Sequence, residues 1–165
     1  MKKTLLAGFA TVILLSPVAV HAQSGDDAGI RALETRFIAA FNAKDLDSIM
    51  RAYAPDVFVF DLVPPRQYVG AAAYRADWKT LLDSFEGPIS VSISDLVVHR
   101  DGDLAYGHSI QHLVGKNKVG GAKTDLTVRV SDVYRRIDGR WKIVLEHVSV
   151  PVDLDTGKPD FASKP

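Results

Sequence analysis

The apolar residues of this chain change their spacing around Gly87-Pro88, and that change constrains the fold more than any other feature. Before it they recur every three or four residues; after it they alternate. Ile30, Leu33, Phe37, Ala40 and Phe41 form one helical stripe, which Asp26 or Asp27 can cap. Asn42-Ala43-Lys44 ends that helix, and Asp45 opens a short second one with Leu46, Ile49, Met50 and Tyr53 on one face. Ala54-Pro55-Asp56 reads as a turn and residues 57–61 as a strand. Tyr74, Trp78, Leu81, Leu82 and Phe85 mark a third helix, ended by Glu86-Gly87-Pro88.

Beyond the switch, Ile89, Val91 and Ile93 alternate with serines until Asp95 interrupts, which suggests a bulge. Asp101-Gly102 and Asp138-Gly139 are hairpin signals. They divide the remainder into strands over residues 89–98, 104–114, 124–137 and 141–150, with a longer polar loop over 115–123. Pro151 breaks the last strand, and residues 153–165 read as a polar, frayed tail. Three helices followed by an antiparallel meander predict an α+β architecture: a curved sheet closed into a cone by helices on one face. The inside of such a cone is a natural small-molecule pocket.

The N-terminus predicts the compartment. Lys2 and Lys3 precede an apolar run from Leu5 to Val20, and Val20-His21-Ala22 offers small residues before Gln23, the pattern of a cleaved secretory signal. The expectation is a periplasmic or secreted domain over residues 23–152, with no membrane attachment after cleavage. Acidic and basic residues balance at 20 each, so a basic nucleic-acid footprint is absent. There is no cysteine, so stability must come from packing.

Asp61 ends the apolar run Val57-Phe58-Val59-Phe60. It either caps the turn before Pro64-Pro65 or aims a carboxylate into an apolar cavity. Two segments bear on this. "FNAKDLDSIMRAYAPDVFVFD" (residues 41–61) resembles the join between the first helices and first strand of nuclear transport factor 2-like (NTF2-like, or cystatin-like) proteins, more narrowly of ketosteroid isomerases and SnoaL-like polyketide cyclases. "SDVYRRIDGRWKIVLEHVSVP" (residues 131–151) is similar to the closing hairpin of that superfamily. The resemblance implies a general base at Asp61 and a helix-opening glycine at Gly70, acting on a ketone without an external cofactor. It also implies an oxyanion hole from a tyrosine and a protonated aspartate. The tyrosine position is Phe37 here, and Asp132 lies near the other with its face undetermined. Losing one such donor costs on the order of 100-fold in rate, unless Tyr53, Tyr68 or His108 substitutes.

Other polar residues are candidates for the cavity. His147 and Ser149 share a strand face, with Glu146 on the opposite one, so Glu146-His147-Val148-Ser149 is no triad; the histidine and serine are candidate lining. Arg129 either anchors a ligand carboxylate or enolate from inside, or solvates the outer sheet face. His108 and His112 are roughly 13 Å apart along a strand, too far to share a metal ion, and no metal site is expected. Phe60 and Trp78 complete the expected pocket wall. The predicted catalytic set is therefore Asp61, Asp132 and His147. Arg129, Phe37, Tyr53, Phe60, Tyr68, Trp78, His108 and Ser149 bind a small apolar ligand bearing a carbonyl or carboxylate. The expected assembly is a homodimer through the exposed sheet face. The alternative is a binding module without chemistry, in which Asp61 is a turn cap.

Overall fold

A computed structural model describes residues 27–162; the signal segment expected over residues 1–22 lies outside them. The elements run α1 (Asp27–Asn42), α2 (Leu46–Met50), β1 (Tyr53–Phe60), β2 (Tyr68–Val69), α3 (Ala71–Asp83), β3 (Phe85–Asp101), β4 (Leu104–Asn117), β5 (Lys123–Ile137) and β6 (Arg140–Ser149). The strands form one curved six-stranded sheet in the order β2-β1-β6-β5-β4-β3. The fold is α+β with its helices on the concave face, as the change of period predicts. One pairing is not antiparallel: β1 runs parallel to β6. No helix of the described residues is long and apolar enough to cross a membrane.

The core follows the helical stripes. Ile30, Leu33, Phe37, Ala40 and Phe41 of α1, and Tyr74, Trp78 and Leu82 of α3, are buried against the sheet. Specific groups fix the helices in place. Asn42 at the end of α1 donates to the Val91 carbonyl at 3.0 Å and accepts from the Val91 N–H at 2.6 Å, pinning the helix to the edge strand β3. Asp45 caps α2 by accepting from Ser48 N at 3.0 Å. Gly70 starts α3 at φ 85°, a conformation that only glycine adopts freely, while its N–H donates to the Val57 carbonyl at 2.8 Å. The start of α3 is thereby tied to β1.

Three irregularities decide which side chains face inward. In β3, Asp95 at φ 53° adds a residue opposite β4, as its interruption of the alternation suggests. In β1, the register against β6 slips between Tyr53 and Phe58. Ala54-Pro55-Asp56 is therefore a distortion inside the strand rather than the turn expected before it. In β6, Val133 pairs with Leu145 and the next residue, Tyr134, with Ile143, which leaves Val144 as an extra residue. That bulge inverts the inside–outside phase of everything after it.

The remaining differences are at ends. Glu86-Gly87-Pro88 belongs to β3 rather than terminating α3, and β4 extends to Asn117. The tail is not frayed over its described part. The Thr127 N–H donates to the Phe161 carbonyl at 3.0 Å, and Val152 bridges Pro159. The tail thus occupies the stretch of β5 that β6 is too short to cover.

Candidate functional site

Between α1, α3 and the concave face of the sheet lies a cavity of about 350 Å³. Its walls are mainly apolar: Phe37 and Phe41 from α1, Trp78 and Leu81 from α3, Val91 from β3, Leu113 from β4, and Val128 and Val130 from β5. The rings pack edge-to-face, Phe37 on Trp78 at 5.6 Å and Phe41 on Trp78 at 4.8 Å. Into this apolar chamber project three carboxylates, Asp61, Asp77 and Glu146, with the phenol of Tyr74 among them.

Asp61 arrives there by simple alternation. Val57 and Val59 are fully buried and point inward, so the next residue of that phase does too. Its Oδ1 also accepts from the Leu62 N–H, so the capping and cavity readings are both fulfilled by one carboxylate. Burial raises its pKa above the ordinary carboxylate value, and the neighbouring charge of Asp77 adds to the effect. The backbone N–H and the Tyr74 hydroxyl partly offset it.

Glu146 sits deeper. It is 4% exposed and accepts two phenol hydrogen bonds, from Tyr53 at 3.0 Å and from Tyr74 at 2.5 Å. Desolvation nevertheless dominates and lifts its pKa to about 7. Tyr74 is thus shared by Glu146 and Asp61, one hydroxyl between two carboxylates.

Behind Glu146, away from the cavity, lie two more buried acids. Asp132 is its direct cross-strand partner on β5, and Glu34 projects from α1. Tyr134 donates to Glu34 Oε1 at 2.9 Å and approaches Asp132 Oδ2 at 3.2 Å. Asp132 Oδ1 has no hydrogen-bond partner among the described residues. Burial and the two flanking glutamates push the Asp132 pKa well up, and burial raises that of Glu34 to about 7. Stacked in this way, the acids hold protons at pH values where free carboxylates do not.

The sequence-predicted residues divide cleanly. Phe37, Trp78 and Asp61 line the cavity. Tyr53 supports Glu146 from beneath, Tyr68 donates to Asp77 at 2.7 Å, and Asp132 lies in the layer behind. Five expectations are corrected. His147 and Ser149 lie on the outer face, because the Val144 bulge turns Glu146 and Val148 inward instead. Phe60 is 41% exposed and packs on the His147 ring at 5.7 Å, on that same outer face. Arg129 is exposed between the inward Val128 and Val130, and His108 is exposed between Gly107 and Ser109. No anchor for a ligand carboxylate therefore reaches the cavity from Arg129.

Four site residues escaped the sequence reading. Glu34 and Asp77 carry a legible signal, since each occupies a core position of its helix: Glu34 is four residues after Ile30, and Asp77 three after Tyr74. Tyr74 was legible as core but not as a donor. Glu146 carries no such signal, because its face depends on a bulge that the sequence does not announce.

No curated protein matches the chain. The SnoaL-like domain matches residues 30–153. An NTF2-like protein of unknown function from Pseudomonas putida KT2440 is 33% identical, with 84% of this chain and 95% of that one covered and a TM-score of 0.75. A ketosteroid isomerase-like protein from Erwinia carotovora atroseptica is 20% identical over 76% of this chain and 96% of that one, TM-score 0.67. An NTF2-like superfamily protein from Salmonella enterica is 18% identical over 79% and 94%, TM-score 0.68. The latter two bear on the fold alone. With the helices, the sheet order and the domain match agreeing, the chain belongs to the SnoaL-like domain family of the NTF2-like superfamily.

Proposed function

We propose that this protein is a cofactor-independent acid–base enzyme that moves a proton on a small, apolar, ketone-bearing molecule. Isomerisation or aldol-type cyclisation is the reaction class. The observation that carries the reading is the convergence of Asp61 and Glu146, two carboxylates from different elements, on one apolar cavity. Asp61 is half-buried, and a backbone N–H partly offsets the rise that burial gives its pKa; Glu146 is enclosed, and burial lifts its pKa to about 7. Two carboxylates in such different surroundings can divide base and acid roles.

In this reading Asp61 removes a proton from the carbon beside the carbonyl. The electron pair moves onto the carbonyl oxygen, which Glu146 and the Tyr74 hydroxyl stabilise by hydrogen bonds. Asp61 then returns the proton at another carbon, or the enolate carbon attacks a second carbonyl, whose oxygen takes the electron pair and then the proton from Asp61. Tyr74 thereby supplies the phenol donor that Phe37 cannot.

The test is a thermal-shift series with phenols as enolate mimics and ketones as substrate mimics, run on wild type, Asp61→Asn and Glu146→Gln. A phenolate mimic is expected to stabilise Asp61→Asn more than wild type, because the substitution removes a negative charge from the oxyanion region. Exchange of ketone α-protons with deuterated solvent, followed by NMR, is expected in wild type and lost in Asp61→Asn. Equal stabilisation of all three proteins, without exchange, would leave a binding module.

The same proposal includes export and self-association. The signal pattern over residues 1–22 supports a periplasmic or secreted location, to be checked by N-terminal sequencing of the secreted fraction for Gln23. The outer sheet face exposes Leu104 by 50%, Tyr106 by 56% and Phe60 by 41%, which supports a homodimer there. Light scattering of the purified protein reads its mass directly.

A further inference from the structure

Every charged side chain that lines the cavity is acidic. Asp61, Asp77 and Glu146 face it, and the described lining residues include no Lys, Arg or His. Asp61 and Asp77 reach it from different elements and lie within hydrogen-bonding reach of each other. Among the described residues neither forms an ion pair; the lysines and arginines that pair with acids nearby do so on the surface, as Arg75 does with Asp47 and Lys79 with Asp83. Two like charges this close repel, and a bound cation relieves that repulsion as a proton would.

The rest of the lining fits a cation better than a proton. Phe37, Phe41, Tyr74 and Trp78 form a contiguous aromatic wall, with Tyr74 and Trp78 centroids 5.9 Å apart. Aromatic faces beside carboxylates are a setting that attracts organic ammonium groups. The wall also contains an unspent donor. Trp78 is 6% exposed, its ring lines the cavity, and its Nε1–H has no partner among the described residues. A divalent metal ion is a poorer match, because it demands about six oxygen ligands and tolerates no aromatic wall in their place.

We propose that the ligand of this cavity is an apolar molecule bearing a protonated amine, seated on the Asp61–Asp77 pair against the aromatic wall. The inference rests on the same cavity as the proton-transfer reading and adds the charge of its ligand. The ammonium pairs with Asp77, and its charge favours the ionised form of Asp61, the form a general base requires. The groups facing the pair are the Leu62 N–H, Tyr68 from β2, Tyr74 from α3 and Glu146 from β6, none of them cationic.

The experiment compares three probes of one shape, cyclohexylmethylamine, cyclohexylmethanol and cyclohexanecarboxylate, by thermal shift and calorimetry on the full chain. The amine is expected to bind most tightly, the alcohol weakly, the carboxylate not at all. Asp77→Asn is expected to weaken the amine roughly tenfold and to leave the alcohol unchanged. The ranking on wild type needs no variant, so a variant that folds poorly does not rescue the idea. Carboxylate binding as tight as the amine, or amine binding indifferent to Asp77→Asn in a folded variant, would overturn it. If ketones and alcohols bind and the amine does not, the amine proposal falls and the proton-transfer reading stands. If the amine binds as expected while α-proton exchange is absent, the reverse holds.

Discussion

The two faces of β5 and β6 are built from the same short stretches of sequence and do opposite things. Outward point Arg129, Ser131, His147 and Ser149, the residues that look like chemistry. Inward point Val128, Val130, Asp132, Tyr134, Glu146 and Val148, of which Asp132 and Glu146 are among the few buried charged residues of the described chain. A histidine or arginine on a strand is worth little as a site residue until its phase is known. On β6 the phase is set by one extra residue, Val144, whose apolar side chain gives no hint of its role.

The sharpest way to break this comparison is to delete Val144. Without the extra residue the strand alternates simply from Ile143, so Leu145 and His147 stay outward and Glu146 keeps its inward face and its pairing with Asp132. The expected outcome is a cooperative urea transition that survives the deletion. A deletion variant that loses that transition would show that Val144 does more than set the phase.

Large side chains measure the same contrast more gently. Phe37→Ala, inside, is expected to cost ~3–5 kcal/mol in urea denaturation. Phe60→Ala, outside, is expected to cost under ~1 kcal/mol in the monomer. Similar losses would mean that the outer face is as well packed as the inner.

The neighbours Glu146 and His147 separate the faces electrostatically. The folded state holds the Glu146 proton up to about pH 7, whereas the unfolded chain releases it near the ordinary glutamate value of 4.5. Between those values the native state binds more protons, so its stability falls as pH rises from about 4.5 to 7. Glu34 and Asp132 act in the same direction. Glu146→Gln should flatten that slope, removing ~1–3 kcal/mol of pH dependence. An unchanged slope in Glu146→Gln would mean that Glu146 ionises freely.

The smallest effects belong to the outer charges. Arg129→Ala and His108→Ala should each change stability by less than ~0.5 kcal/mol and leave probe binding to the cavity unaltered. A drop in amine or phenol affinity on Arg129→Ala would reopen the question of which face binds.

Much of this was legible in advance, for reasons that differ residue by residue. The helices declared themselves because Ile30, Leu33, Phe37 and Phe41 repeat at the helical period, and Asp61 because the alternation from Val57 is unbroken. The strands β3 and β4 were legible even through a bulge, since Asp95 is a poor strand residue and marks it. Val144 is a good strand residue and hides its bulge, so simple alternation places Glu146 on the wrong face. The parallel pairing of β1 with β6 joins residues far apart in the chain, Tyr53 with Ile143 and Val59 with Glu146, and local spacing does not report it.

The central claim is that Glu146, turned inward by that bulge, works in the cavity together with Asp61. Side-chain carboxyl NMR of ¹³C-glutamate-labelled protein, titrated with and without a phenolic mimic, tests it most directly. The resonance lost in Glu146→Gln should titrate near pH 7 and shift its midpoint when the mimic binds. A midpoint at the ordinary glutamate value, unmoved by the mimic, would contradict the account.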